Sequence, residues 1–184
     1  MRMTITTLAA ASALTLLVAC GGGGGSSSTP AGPSYATTLS YTNPTSGSYQ
    51  LVKDSASNGG TLVLDLVSTT GAPISGTSFS FNADTTKVAW SPFTSTGTAF
   101  NVGSAPQPVA SKIVGTELQG VVSQKGTGSP VTPTTTTVLA KVTMTLKGSV
   151  TAGAVTFTDS GKGAFMDGTG VHATAITVGQ ISAQ

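Results

Sequence analysis

The sequence predicts an all-β two-sheet sandwich, and three observations carry that expectation. Apolar and polar residues alternate at period two in several short stretches. Clusters of Gly, Pro, Asn and Ser, the residues that make turns, separate those stretches. No run of about ten residues carries a helical stripe. Composition points the same way. Only 8% of residues are charged, so the solvated faces must be built from Thr, Ser, Asn and Gln. Thr suits that task, because its branched Cβ fits a pleated surface.

Two segments without a fold of their own precede the domain. Residues 1–19 carry Arg2 and then an uncharged apolar run over 5–18. That run is shorter than the roughly 20 apolar residues of a transmembrane helix and has the length and flanks of a signal peptide. Residues 20–34 begin with Cys20, the only cysteine, and pass through Gly21 to Gly25 into Ser, Thr and Pro. Nothing there can bury a side chain. A Gly/Ser coil of this length reaches on the order of 20 Å and reads as a tether. It is not a phosphate loop, since no strand precedes it and no Lys-Ser/Thr follows. Residues 35–184 are the domain, large enough to stand on its core without disulfides.

About nine strands are expected in this domain. Residues 35–41 are a weak first strand, ended by Asn43-Pro44, and Tyr49–Lys53 is a short second one. After the turn at Asn58-Gly59-Gly60, Thr61–Ser68 is apolar on both sides and reads as central. Residues 78–83 put Phe79 and Phe81 on one face, and residues 88–93 resume extended structure. Residues 112–123 are one bent strand or a small hairpin around Gly115. Residues 138–147 are the cleanest amphipathic strand, with Val138, Ala140, Val142, Met144 and Leu146 on one side. Residues 154–158 follow; 160–170 read as a Gly-rich loop, and 171–181 as a single closing strand.

Two resemblances add to this reading. Leu17-Val18-Ala19-Cys20 resembles the bacterial lipobox. The resemblance implies cleavage before Cys20, diacylglyceryl on its thiol, and Leu17, Val18 and Ala19 as signal-peptidase recognition positions. Two or three acyl chains make a stable anchor, at roughly 0.8 kcal/mol per buried CH₂. Gly21 in place of Asp implies the outer membrane, for a Gram-negative source. In the domain, four patterns follow one another. They are the strand of Leu62 to Val67; Phe79-Ser80-Phe81-Asn82-Ala83-Asp84 leading to Val88; Leu139-Ala140-Lys141-Val142; and Ala154-Val155-Thr156-Phe157. In that order they resemble cohesin-type domains, which share a jelly-roll superfamily with certain carbohydrate-binding modules. The resemblance departs at Thr85, where that family has Pro after the turn Asp.

Catalysis finds little support. His172 is the only histidine and belongs to no nucleophile motif. The six acids, Asp54, Asp65, Asp84, Glu117, Asp159 and Asp167, lie mostly in turns, where Asp bonds the backbone. No catalytic residue is assigned. Asp159 and Asp167 are candidate ligands for Ca²⁺ through hard oxygen donors; no other cofactor is expected beyond the covalent lipid. Trp90, Tyr41 and Tyr49 are candidate stacking surfaces for a sugar, with a place in the core as the competing reading. After loss of Arg2, seven Lys stand against six acids, so the basic stripe of a nucleic-acid binder is missing. The expectation is a lipid-anchored, non-catalytic cell-envelope module acting in protein–protein interaction or scaffolding. The alternatives are a carbohydrate-binding module or a structural subunit of an envelope assembly. A protein site predicts a flat sheet face with an apolar patch, a glycan site exposed coplanar aromatics, and an assembly subunit an open strand edge.

Overall fold

The computed structural model describes residues 32–100, 109–124 and 129–184. Leu17, Val18, Ala19 and Cys20 lie outside the described residues. Among the described residues the chain forms only strands. In order they are β1 (Leu39–Thr42), β2 (Tyr49–Lys53), β3 (Thr61–Ser68), β4 (Gly76–Ala83), β5 (Val88–Trp90), β6 (Val109–Val114) and β7 (Glu117–Ser123). There follow β8 (Val138–Leu146), β9 (Gly153–Val155), β10 (Phe157–Asp159), β11 (Ala164–Asp167), β12 (Gly170–Ala173) and β13 (Gln180–Ala183). Pairing between these strands is antiparallel, and one isolated bridge, Gln50 with Thr177, is parallel. A four-stranded sheet runs β2-β3-β8-β5, a six-stranded sheet runs β12-β11-β4-β7-β6 with β10 also on β4, and β1-β13-β9 form a third.

The period-two pattern of β3 explains the core. Leu62, Leu64 and Leu66 are fully buried, and their register against β8 brings Met144, Val142 and Ala140 beside them. From the other sheet β4 and β7 supply Phe79, Phe81, Leu118 and Val122, all buried. The sheets pack face to face through aromatic rings. Tyr49 of β2 stacks on Phe165 of β11 with centroids 3.5 Å apart, and Trp90 of β5 meets Phe157 of β10 at 6.1 Å. Gly120 is opposite Phe79 in the β4–β7 register. A Cβ at position 120 would lie 2.2 Å from the Phe79 ring, so that ring occupies the room the glycine leaves. Each fully buried Leu or Phe contributes about 1.5–3 kcal/mol relative to exposure.

The expected sandwich is the one observed, with local corrections; the first strand begins at Leu39 rather than at residue 35, and β5 ends at Trp90 rather than at 93. The stretch 160–170 is not all loop: Ala164 to Asp167 form β11, which pairs with both β4 and β12. The single closing strand 171–181 is two strands in different sheets, β12 and β13. Residues 154–158 are divided at Thr156 between β9 on β13 and β10 on β4. Finally, 112–123 is a hairpin whose first arm already begins at Val109. These divisions raise the number of described strands above the nine expected.

Candidate functional site

The six-stranded sheet turns one face to the core and the other outward. Because Phe79 and Phe81 point in, Ser78, Ser80 and Asn82 point out. Register then assembles the outer face. Ser78 stands opposite Val121 of β7 and Ala164 of β11, and Met166 stands opposite Val171 of β12. Two shallow depressions meet at Ser78 and Val121. One extends toward β6 along Ala110, Lys112 and Gln119, and the other toward β12 along Ala164, Met166 and Val171. Val121 is 43% exposed and Val171 70%, while Val114 stands apart, opposite Glu117 at the hairpin end of β6. An apolar patch made from several strands is the kind of surface that marks an interaction site.

A polar group borders the patch. Glu117 accepts hydrogen bonds from Ser80 Oγ, from Lys162 Nζ at 2.8 Å and from Gln119 Nε2 at 3.1 Å. Lys162 first, then Ser80, hold its carboxyl down at about 2. Lys112 is exposed on β6 and lies on this same outer face, at the depression's far side.

The four-stranded sheet's outer face is built differently. Asp65 of β3 is the register partner of Lys141 of β8, and Lys141 Nζ donates to Asp65 Oδ1 at 2.8 Å and also to Asp54. The Ala56 N–H and then Lys141 hold Asp54 at about 2. Burial pushes Asp65 the other way, upward, against the pull of Lys141. Burial alone would lower Lys141, and the hydrogen bonds to Asp54 and Asp65 outweigh it and raise it. Thr94 forms a β-bridge with Lys141, and a Cβ at Gly97 would lie 3.1 Å from Lys141 Cε. The chain after β5 therefore packs over this cluster.

The stacking candidates turn inward. Trp90, Tyr41 and Tyr49 are each only 8% exposed. Trp90 Nε1 donates to Thr116 O at 2.9 Å. Tyr41 Oη donates to Leu51 O at 2.9 Å and accepts from Gly179 N, and burial pushes its hydroxyl up to about 12. Their ring faces are core surface because the aromatic residues of β1, β2 and β5 fall on the inward phase of each strand. Of the chain's aromatic residues, Tyr35 at 47% is the one exposed, and all the others are buried.

Asp159 and Asp167 are each taken up by backbone N–H groups, Asp159 partly by one far along the chain. Asp159 accepts from Gly161 N at 3.2 Å and from Ile176 N at 2.9 Å. Asp167 Oδ1 accepts from Thr169 N at 2.7 Å and Gly170 N at 3.1 Å. Thr169 first, with His172 behind it, holds the Asp167 carboxyl well below the usual carboxylate range. Among the described residues, no three His, Cys, Asp or Glu side chains converge as a metal-binding group. His172 contacts Asp167 Oδ1 and Thr169 Oγ1, both at 3.0 Å and both through Nε2. A nucleophile triad needs an orienting carboxylate on one ring nitrogen and the nucleophile on the other. This histidine has both partners on one nitrogen.

No protein-family description and no curated protein matches the sequence. Solved structures do match its fold. The sixth cohesin of scaffoldin B from Acetivibrio cellulolyticus, solved in complex with a mutant Cel5 dockerin, aligns with a TM-score of 0.51 at 20% identity. That alignment covers 73% of this chain and 96% of the cohesin. A cohesin module from a Clostridium perfringens family 33 glycoside hydrolase covers 79% of this chain and 99% of its own, at 14% identity and TM-score 0.43. A Pseudobacteroides cellulosolvens type I cohesin aligns over 70% of this chain and 84% of its own, at 15% identity and the same TM-score. The alignment with the Acetivibrio cellulolyticus cohesin, at a TM-score above 0.5, gives the domain a cohesin-like β-sandwich fold.

Proposed function

We infer that the domain is a non-catalytic protein-binding module whose docking surface is the outer face of the six-stranded sheet. One observation carries this reading. The apolar patch of exposed Val121, Val171 and Ala110 with half-buried Met166 is aliphatic, while all the aromatic rings but Tyr35 are buried. Sugar recognition by stacking needs exposed ring faces, and the sheet offers none. An aliphatic patch with a polar margin at Glu117, Lys162 and Lys112 has the anatomy of a protein interface, an apolar centre with a wet rim. The cohesin-like fold, seen bound to a dockerin in one neighbour, supports the same reading.

The sequence Leu17-Val18-Ala19-Cys20 supports attachment of this module to the cell envelope through lipid on Cys20, with residues 21–34 as the leash. Metabolic labelling with a fatty acid would test the anchor: label on the wild type and none on Cys20→Ser is expected. Label retained by Cys20→Ser would contradict it. For the binding role, residues 33–184, a compact unit, are immobilised and exposed to the source organism's envelope and secreted fractions. A saturable protein partner, displaced by excess soluble domain, is the expected result. Retention of a polysaccharide with no protein partner would overturn the reading in favour of a glycan module.

A further inference from the structure

β6 is the end strand of the six-stranded sheet, and among the described residues its outer edge pairs with no other strand. All six of its residues are exposed, with Val109 at 36% and Ile113 at 43%. An open apolar edge is a template for a further strand. We propose that this edge pairs antiparallel with β6 of a second copy of the chain, about a two-fold axis through Ser111.

The hairpin geometry fixes which groups are available. Gly115 and Thr116 form its two-residue tip, with Gly115 at φ 59°, so Val114 and Glu117 are a hydrogen-bonded pair. Alternation along the ladder then turns the N–H and C=O of Val109, Ser111 and Ile113 away from β7 toward the open edge. The side chains of these three residues share the face of their register partners Val122, Gly120 and Leu118. Ser111 Oγ accepts from Phe93 N at 2.7 Å, which fixes the middle of the strand against the chain that follows β5.

The sequence of the edge is self-complementary in one register. A two-fold pairing that keeps inner face with inner face sets each residue opposite one of the same phase. Centred on Ser111, it places Val109 opposite Ile113 of the second copy, twice over. It uses all three outward pairs, for on the order of six backbone hydrogen bonds. Lys112, the single charge on the strand, then faces Ala110. Centring one residue later would set the two Lys112 ammonium groups opposite each other, and like charges directly opposite are destabilising. Because the contact is isologous, it closes after two copies and does not propagate into a fibre. The axis lies perpendicular to the sheet, so the two docking faces end up side by side on one surface. The pairing does not depend on that docking role.

Sedimentation equilibrium of the chain carrying Cys20→Ser tests this without lipid or stray disulfides. A reversible monomer–dimer equilibrium is expected. Ile113→Pro is expected to abolish the dimer and leave the thermal midpoint nearly unchanged, because the Ile113 N–H is not used in its own sheet. In the same background, Ser111→Cys is expected to oxidise to a covalent dimer. The Cα atoms of a hydrogen-bonded pair lie about 5.5 Å apart, within disulfide reach. Lys112→Cys is expected to cross-link far less. Monomer at every concentration, a dimer indifferent to Ile113→Pro, cross-linking at 112 in preference to 111, or growth beyond the dimer would each overturn the proposal. Should Ile113→Pro fail to fold, the contrast between the two cysteine variants decides.

Discussion

The two outer faces of this sandwich use their side chains in opposite ways. On the four-stranded sheet, Lys141 is held between Asp54 and Asp65, and the chain after β5 lies across it. The one lysine of β8 at mid-strand is thereby committed within the molecule. On the six-stranded sheet, Val121 and Val171 stand open to water, and the charges of Glu117 and Lys162 sit at the margin of the patch. Aliphatic side chains left open to water bury little area and contribute little to folding. Their presence on one face and absence on the other separates a surface that serves the fold from a surface available to a partner.

The contrast is sharpest in the lysines. Lys141→Ala leaves Asp54 and Asp65 facing each other without their cation, and the expected loss is about 1–3 kcal/mol of stability, read by urea unfolding. A loss under about 0.5 kcal/mol would show that the covered face is not structural. Acid titration probes the same cluster. Asp54 is held at about 2, below its ordinary 3.8, so its contribution is present above about pH 4 and fades as pH falls toward 2. Asp65 is shifted upward and acts in the opposite sense, losing its contribution as pH rises. Asp54→Asn should therefore flatten the decline of the melting temperature between pH 4 and 2; an unchanged slope would refute the assignment. On the open face, Lys162 is 61% exposed, and Lys162→Ala should cost only about 0–1 kcal/mol. Val171→Ser should change stability by no more than about 0.5 kcal/mol, although it removes the most exposed valine of the patch.

Much of the fold was legible in the residues, because period two needs no knowledge of partners. Tyr49–Lys53 and Thr61–Ser68 are strands with the bounds read from the sequence, and the amphipathic strand from Val138 ends one residue early at Leu146. β11 escaped because its four residues lie between Gly163 and Gly168, so turn chemistry masked a strand that two neighbours complete. The break between β12 and β13 escaped because Val, Ile and Thr continue through it with strand propensity. Asp65, anomalous in mid-strand, is explained by a cross-strand lysine far along the chain. The proposed docking face was illegible for the same reason: Val121, Met166 and Val171 come from three strands, and only register unites them. The inward phase of Trp90, Tyr41 and Tyr49 likewise depends on which side of each strand meets the opposite sheet. The turn roles of Asp84, Asp159 and Asp167 were readable, since each bonds backbone within two or three residues.

The central claim is that the partner docks on the open face. Once a protein partner has been captured, its affinity should be measured by calorimetry for two matched variants, Val121→Glu at the centre of the open face and Thr145→Glu on the exposed side of β8. The expected result is a loss of about 30-fold or more for Val121→Glu, as for a central interface residue, with Thr145→Glu within about twofold of wild type. Unchanged affinity for Val121→Glu together with loss for Thr145→Glu would contradict the claim and move the interface to the other sheet.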